Sequence, residues 1–361
     1  METIAILGGG NGGFAAAAHL QTNGFETQLY NRSEDTIAAI RDAGGIEYSG
    51  TFGEGFAPIP VITTDLNTAL DGADAIMACL PAVAFEDLAT QLAPHLDGTR
   101  PLLLNPGSTG GAFAVKQTLQ ETGCESIPPI AQTNTLTYIC RKQSEAHVHV
   151  SSAVENVRFG TLPKTDQDWV LEAFQTCYPN LRPVENVVHA SLSNVNAVLH
   201  PPGIVLSAAW IEHTDGDFRF YYDGATPAVA SLMADLDEER LAVADAWGLN
   251  LDPFPELFFD IGSTTREAGE SGSFLRAMRE SEPNKSIKAP SSTDHRYFHE
   301  DIPYGLLPMC EFGRVANVET SVMSSLVTIA SSITGVAYRD QGWTAERLGL
   351  PDTPDTASAD L

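Results

Sequence analysis

Leu7-Gly8-Gly9-Gly10-Asn11-Gly12-Gly13 decides the fold, because it joins an apolar pentapeptide, Thr3 to Leu7, to a run of small residues from Ala15 to Gln21. The pentapeptide reads as a buried strand, the small-residue run as a helix, and Glu26 to Tyr30 as a second strand. That is a βαβ unit with a glycine-rich bend at its first joint. The spacing G-x-G-x-x-G falls on Gly8, Gly10 and Gly13, and each position has its own physical reason. Gly8 permits the tight turn, Gly10 lets a pyrophosphate approach the backbone, and Gly13 lets the helix pack close to the strand. The N–H groups at the start of the helix, around Asn11, Gly12 and Gly13, then face the anion. A bare G-x-G-x-x-G is a weak signal that a flexible loop also produces; the strand before it and the helix after it turn it into a dinucleotide site.

Outward from this unit the alternation continues. A helix is expected over Glu34 to Ala43, a helical turn near Leu66 to Leu70, a strand over Ala75 to Leu80, a helix over Phe85 to Leu92 and a strand over Leu102 to Asn105. Strands separated by helices imply a parallel sheet covered on both faces. Between Gly44 and Thr64 short Gly- and Pro-punctuated runs suggest a hairpin insertion. Short β-like runs follow at His147 to Val150 and Val157 to Thr161, then a helix over Trp169 to Cys177, and Pro183 closes the region. Beyond Val187 helical stretches take over: Ala190 to Trp210, Val229 to Trp247, Ser273 to Glu280 and Ala316 to Ile333. The expected fold is therefore α/β: an N-terminal Rossmann-type domain with a parallel-sheet core over 1–184, then an all-α C-terminal domain over 185–350. The polar tail 351–361 is expected to fray.

The end of the second strand bears on which dinucleotide binds. An NAD enzyme commonly places a carboxylate there to accept from the ribose 2′-hydroxyl, whereas this chain reads Tyr30-Asn31-Arg32-Ser33. Arg32, with Asn31 and Ser33, can hold a 2′-phosphate through charge-assisted hydrogen bonds. The alternative is an exposed arginine with Glu34 or Asp35 turned back to the ribose; the residues favour NADP(H) over NAD(H). Cys79-Leu80-Pro81-Ala82 and the loop Asn105 to Gly111 follow parallel strands at their carboxyl ends, where such sheets bind ligands. Leu80, Pro81 and Asn105 thereby join the candidate cofactor contacts, although either loop can equally be a plain turn.

The 361 residues hold 20 Lys plus Arg against 47 Asp plus Glu, a formal charge of −27. That sign argues against nucleic acid as a partner. A lysine-poor acidic surface stays hydrated where salt screens its repulsion, which points to adaptation to high internal salt, as in a halophilic microbe. No apolar run is long enough to cross a bilayer, and the start Met1-Glu2-Thr3-Ile4 lacks the basic flank of a signal peptide, so no membrane and a cytoplasmic location are expected. Five scattered cysteines without a C-x-x-C pair suggest reduced, buried thiols. Nothing fixes the number of chains; a homodimer is compatible with these readings.

Reducing a carbonyl or an imine requires a proton alongside the hydride, and histidine is its usual source. His19, His95, His147 and His149 read as structural or surface residues, whereas His189 and His200 fall near the domain junction. His200 is the more suggestive, because Ser193-Asn194-Val195-Asn196-Ala197-Val198-Leu199-His200-Pro201 sets two amides and a histidine in an apolar helix expected to end or kink at Pro201 and Pro202. A core histidine bonded to a backbone carbonyl is the bland alternative. The second polar cluster is Asp294-His295-Arg296-Tyr297-Phe298-His299-Glu300-Asp301. His295 and His299 beside Glu300 invite a zinc reading, but the order is not H-E-x-x-H, and no metal is expected.

The chain resembles the opine dehydrogenase family. The resemblance lies in Gly8-Gly9-Gly10-Asn11-Gly12-Gly13, in Asn105-Pro106-Gly107-Ser108-Thr109-Gly110-Gly111 and in the run Asn194 to Pro201. It continues through Phe220-Tyr221-Tyr222-Asp223-Gly224-Ala225-Thr226-Pro227 and from Arg296-Tyr297 to Glu300-Asp301, in family order over nearly the whole chain. It implies reduction of the imine formed between a 2-oxo acid, commonly pyruvate, and the amino group of an amino acid. It also implies a His–Asp acid–base pair, whose motif positions here are His200 and Asp301. A carboxylate on one ring nitrogen fixes the tautomer, so the other can give or take a proton. Arg296 is the candidate for the substrate carboxylate, because guanidinium matches it with two parallel hydrogen bonds; an ion pair with Asp294 or Glu300 is the alternative. Asn196 and Thr226 are candidates for positioning substrate or the nicotinamide amide, unless they only cap or bridge helices. Where the family is expected to carry a glutamate, this chain has Gln132, which speaks for a neutral amine.

Two rivals remain. Dehydropantoate reductase and glycerol-3-phosphate dehydrogenase resemble this chain in the glycine turn but rely on a lysine in the helical domain, where only Lys285 and Lys288 are available, both in a Pro- and Ser-rich loop. A non-catalytic dinucleotide sensor would need the turn but not His200, Arg296 and Asp301.

Overall fold

In the computed structural model residues 1–354 are described. The tail 351–361, expected to fray, lies outside them from residue 355 onward. The described chain forms two compact units, one of residues 1–107 and 111–187, the other of residues 108–110 together with those from Val188 onward.

Among the described residues the first unit carries all twelve strands: Thr3–Leu7 (β1), Glu26–Tyr30 (β2), Gly45–Gly50 (β3), Gly55–Pro58 (β4), Val61–Thr63 (β5), Ala75–Ala78 (β6), Leu102–Leu104 (β7), Ile130–Thr133 (β8), Tyr138–Lys142 (β9), His147–Ala153 (β10), Val157–Leu162 (β11) and Leu181–Pro183 (β12). Eight of them form one sheet in the order β12-β11-β8-β7-β6-β1-β2-β5. Every pair is parallel except β11 with β8. β6 and β7 are apolar and buried at every position, as strands covered on both faces must be. The insertion after Gly44 does contain a hairpin, β3 with β4. It grows into a second sheet, β4-β3-β10-β9, in which β10 pairs with β3 in parallel. That pairing joins segments about a hundred residues apart, and the strand β9, like β8, carries too short a pattern to stand out in the sequence.

The first helix runs from Asn11 to Thr22, beginning earlier than the expected Ala15. Glycine has low helix propensity, which hides the first turn, but Gly12 and Gly13 are buried there, Gly12 against Leu136 and Gly13 against the carbonyl of Gly8.

Among the described residues the second unit holds no strand; one bridge links Arg219 and Lys288. Its main helices are Val195–Thr214, Pro227–Ala246, Phe254–Asp260, Leu307–Val315 and Ser321–Thr334. The expected stretch Ala190 to Trp210 divides at Ser193-Asn194, where the Asn194 side chain accepts from the Asn196 N–H at 3.1 Å and caps the second part. The expected start at Ala316 moves to Ser321, since Asn317 takes a φ of +54° that interrupts the helix.

The helix does not end at Pro201 and Pro202 but continues through both to Thr214. Each interior proline costs roughly 3 kcal/mol, because it has no N–H for the preceding turn and crowds the carbonyl there. Against that, Val198, Leu199, Ile204 and Val205 are all at least nine-tenths buried, and each such side chain contributes about 1.5–3 kcal/mol. Packing outweighs local propensity. No helix among the described residues is long and apolar enough to cross a membrane.

Candidate active site

The glycine turn takes its shape from steric necessity at two positions. Gly8 has a φ of +120°, and a Cβ there would stand 2.5 Å from the Cys79 carbonyl oxygen; a Cβ on Gly13 would stand 1.8 Å from the carbonyl oxygen of Gly8. Gly10 differs, for nothing lies within 4 Å of a Cβ built on it. No protein atom requires glycine there. The helix that follows has no side-chain cap and no acidic residue in its first turn, although the chain carries a net charge of −27. An uncapped helix N-terminus, clear of carboxylates and reached past an open glycine, fits a pyrophosphate.

Around the turn, several side chains expected to touch cofactor are used as braces. Asn31 Oδ1 accepts from the Gly9 N–H at 3.0 Å while its Nδ2 donates to the Ser33 carbonyl at 3.0 Å. Asn11 Oδ1 accepts from the Lys142 N–H at 2.8 Å, tying the helix start to β9, and the Lys142 ammonium sits 3.9 Å above the Phe14 ring. Arg32 is exposed and paired with exposed Asp87 at 2.9 Å. Ser33 precedes the helix Glu34–Ala43 without a capping bond from its side chain, and Glu34 pairs with Arg41. Leu80 is half-buried beside Gly8, and Pro81 is exposed.

Asn105 is a correction. It is fully buried, its Nδ2 donating to Thr137 Oγ1 at 2.9 Å and its Oδ1 accepting from the Thr137 N–H at 3.1 Å, so it holds the loop together. Gln132 is another: fully buried on β8, it accepts through Oε1 from the Ala112 N–H at 2.9 Å and packs against Gly107. Its place in the strand core carries no information about the amine. The three residues beyond Gly107 belong to the second unit, where Ser108 Oγ donates to the Tyr304 carbonyl at 2.8 Å and Asn194 Nδ2 donates to Thr109 Oγ1 at 3.1 Å.

In the second unit the structure brings His200 and Asp301 together. His200 Nδ1 lies 2.7 Å from Asp301 Oδ2, and both side chains are only 6% exposed. The other ring nitrogen, Nε2, lies 2.8 Å from the hydroxyl of Tyr221, which is 3.3 Å from that of Tyr297. The Tyr297 ring stacks on the imidazole at 3.8 Å between centroids and 20° between planes. Sequence reasoning did not single out either tyrosine, although both stand inside stretches that carry the family resemblance.

Local chemistry explains how each partner is presented. Tyr221 rides on a turn closed by Arg219 and Asp223: the Asp223 carboxylate accepts from the Arg219 N–H at 2.9 Å and from its guanidinium at 2.9 and 2.7 Å. Those bonds pull the Asp223 carboxyl down to about 2. Asp301 starts a wide π-turn, in which the Leu306 N–H donates to the Asp301 carbonyl five residues back at 2.8 Å.

The remaining candidates are less closely joined. Arg296 has a side chain 55% exposed and is paired with Glu300 at 2.8 Å, as the alternative reading anticipated. Thr226 caps the helix Pro227–Ala246, accepting from the Val229 N–H at 3.3 Å. Asn196 is half-buried in the first turn of the His200 helix. His295 caps the short helix Arg296–His299, and His299 bonds Tyr338 at 2.9 Å and Asp294 at 3.2 Å. No group of three or more metal-ligating side chains is assembled among the described residues.

Comparison with known proteins adds to this geometry. Residues 183–334 match the family described as NAD/NADP octopine/nopaline dehydrogenase, alpha-helical domain. Residues 3–107 match the N-terminus of NAD-dependent glycerol-3-phosphate dehydrogenase. An opine dehydrogenase from Arthrobacter sp. (strain 1C) is 34% identical over 350 residues, 97% of this chain and 95% of its own. A structure of octopine dehydrogenase with NADH and L-arginine aligns over 99% of this chain and 98% of its own with a TM-score of 0.80 at 19% identity. A yersinopine dehydrogenase with NADP+ bound aligns over 100% and 98% with a TM-score of 0.74 at 13% identity.

Proposed function

The chain belongs to the opine dehydrogenase family, NAD(P)H-dependent oxidoreductases acting on the CH–NH bond of a secondary amine, and we propose that it joins a 2-oxo acid, pyruvate first among them, to the amino group of an amino acid. The observation that carries this reading is the buried His200–Asp301 hydrogen bond of 2.7 Å. The nicotinamide, when bound, supplies the hydride that reduces the imine carbon. Gly8, Gly10, Gly12 and Gly13 form the turn whose N–H groups hold its pyrophosphate, with Asn31 and Asn11 bracing the turn from either side. Arg32 exchanges Asp87 for a ribose 2′-phosphate, so NADP(H) is favoured over NAD(H).

Making the imine requires a proton, because the oxygen of the 2-oxo acid must leave as water. His200 is the seat of that proton. The Asp301 carboxylate accepts Nδ1–H, fixes the tautomer and supports the imidazolium, in surroundings that keep solvent out. Arg296 binds a substrate carboxylate by releasing Glu300, with Asn196 and Thr226 orienting the amine partner. The reaction runs in the cytoplasm at high internal salt, where the acidic surface is screened.

Cofactor oxidation measured in molar salt with pyruvate alone, then with pyruvate plus single amino acids, tests the reading. Oxidation only with both substrates supports it. Pyruvate alone sufficing favours a simple 2-oxo acid reductase, and no oxidation under any salt condition favours a dinucleotide sensor. Against the reductase stands the state of the two lysines in the helical unit: Lys285 pairs with Glu282 at 3.3 Å and Lys288 with Asp217 at 2.7 Å, each on the surface.

A further inference from the structure

Both nitrogens of the His200 ring are engaged, Nδ1 with Asp301 and Nε2 with Tyr221, and the ring face is covered by Tyr297. An imidazole makes one in-plane hydrogen bond per nitrogen. A reacting atom can therefore receive the proton of His200 in only two ways: by pushing Tyr221 aside, or through the Tyr221 oxygen. Displacement breaks a hydrogen bond between two groups that are each about 5% exposed, and leaving a buried polar group unsatisfied costs about 1–3 kcal/mol. Relay keeps the Nε2 bond intact, since a phenol oxygen accepts one proton as it releases its own.

We propose that Tyr221 is the residue that hands the proton to the reacting centre, relaying it from His200 Nε2 through its own hydroxyl. The relay rests on the reading of His200 and Asp301 as the acid–base pair. In the direction of synthesis, the imidazolium gives its Nε2–H to the phenol oxygen, and the phenol O–H proton passes to the hydroxyl of the carbinolamine. The C–O bond breaks, water leaves, and the nitrogen lone pair completes the C=N bond. His200 ends neutral with Nδ1–H still on Asp301, Tyr221 ends as a neutral phenol, and nothing is oxidised until the hydride arrives. Tyr297 is a positioning residue: its ring sets the plane of the imidazole, and its hydroxyl, 3.3 Å from that of Tyr221, helps to orient the transferred proton.

The test is Tyr221→Phe, which keeps the ring and removes only the relay atom. The expected result is a fall in kcat of about 100-fold, within the range of general acid–base contributions. The cofactor Kd stays within about twofold and the solvent isotope effect on kcat grows, as expected of a slower proton step. A kcat within about threefold of the natural protein, or above it, overturns the relay, because a tyrosine that merely covers Nε2 can be removed without loss. Should Tyr221→Phe fail to fold, difluorotyrosine at the same position decides: a shifted pH profile and altered kcat support the relay, and an unchanged profile overturns it. Failure of the underlying pair is read separately, from retention of activity by His200→Ala.

Discussion

Replacing Asp301 by asparagine removes a charge and almost nothing else, which makes it the sharpest probe of the buried pair. The bond it alters is 2.7 Å long between side chains each 6% exposed. A hydrogen bond to an ionised partner contributes about 1.5–3 kcal/mol and a neutral one about 0.5–1.5 kcal/mol, so roughly 1–2 kcal/mol of support for the imidazolium disappears. The asparagine amide also offers an N–H to Nδ1, favouring the tautomer with its proton on Nε2, where the proton must be accepted in the reverse reaction; restoring the right tautomer costs a further ~1–2 kcal/mol. At about 1.36 kcal/mol per decade, the sum of about 3 kcal/mol lowers kcat by about two orders of magnitude. Folding should change little, because a buried carboxylate carries a desolvation cost that asparagine avoids. The assay is steady-state oxidation of the reduced cofactor with a 2-oxo acid and an amino acid, beside a fluorescence titration of the cofactor. Cofactor affinity should hold, since the glycine turn belongs to the other unit. A kcat within about threefold of the natural enzyme refutes the reasoning, and so does a loss of cofactor affinity matching the loss of rate.

Gly10→Ala and Gly13→Ala should part company. The first places a methyl where no atom lies within 4 Å, leaving thermal stability nearly unchanged while weakening the dinucleotide about tenfold or more; equal affinity in a dye-free equilibrium titration would sink the idea. The second drives a methyl into the Gly8 carbonyl and should cost at least the 1–3 kcal/mol typical of overpacking, visible as a lower melting temperature without any ligand. With a net charge of −27, moving from low ionic strength to molar potassium chloride should raise the melting temperature by more than about 5 °C, and a flat salt response removes the argument for adaptation to salt. Burial holds His19 down to about 4, against an ordinary 6.5. The unfolded chain therefore binds the proton first, and stability falls as pH drops from about 6.5 towards 4. Partial exposure discounts the loss to about 1–2 kcal/mol. His19→Gln should flatten that limb in urea titrations across the interval, and an unaltered slope speaks against it.

The sequence shows the parts of this protein that are written locally. β1 follows from an apolar run and the helix Glu34–Ala43 from periodicity, and the glycine turn follows from a spacing that close packing explains at Gly8 and Gly13. What it hides is whatever depends on distant partners. The second sheet needs β10 beside β3, and Asn105 looks like a loop residue at a ligand-binding edge until Thr137 is seen to use its amide. His200 stood out because a histidine between two amides and two prolines is unusual. Tyr221 did not, since a buried tyrosine in an aromatic run has the look of ordinary core, and only the 2.8 Å contact with Nε2 gives it a chemical task.

The three partners of that proton line are each presented by a distinct backbone feature. His200 immediately precedes two prolines inside a helix, Asp301 opens a π-turn, and Tyr221 rides on a turn held by an arginine–aspartate clamp. The first two conformations are disfavoured by their own few residues and are held by the packing around them, whereas the third is closed by its own side chains. Such support has a consequence for catalysis. A side chain fixed by a packed backbone irregularity cannot relax when its partner changes, so hydrogen-bond lengths along Asp301, His200 and Tyr221 are set before substrate arrives. Straightening the π-turn or removing a proline should then lower kcat even where it raises stability, because what is lost is the alignment rather than a bond.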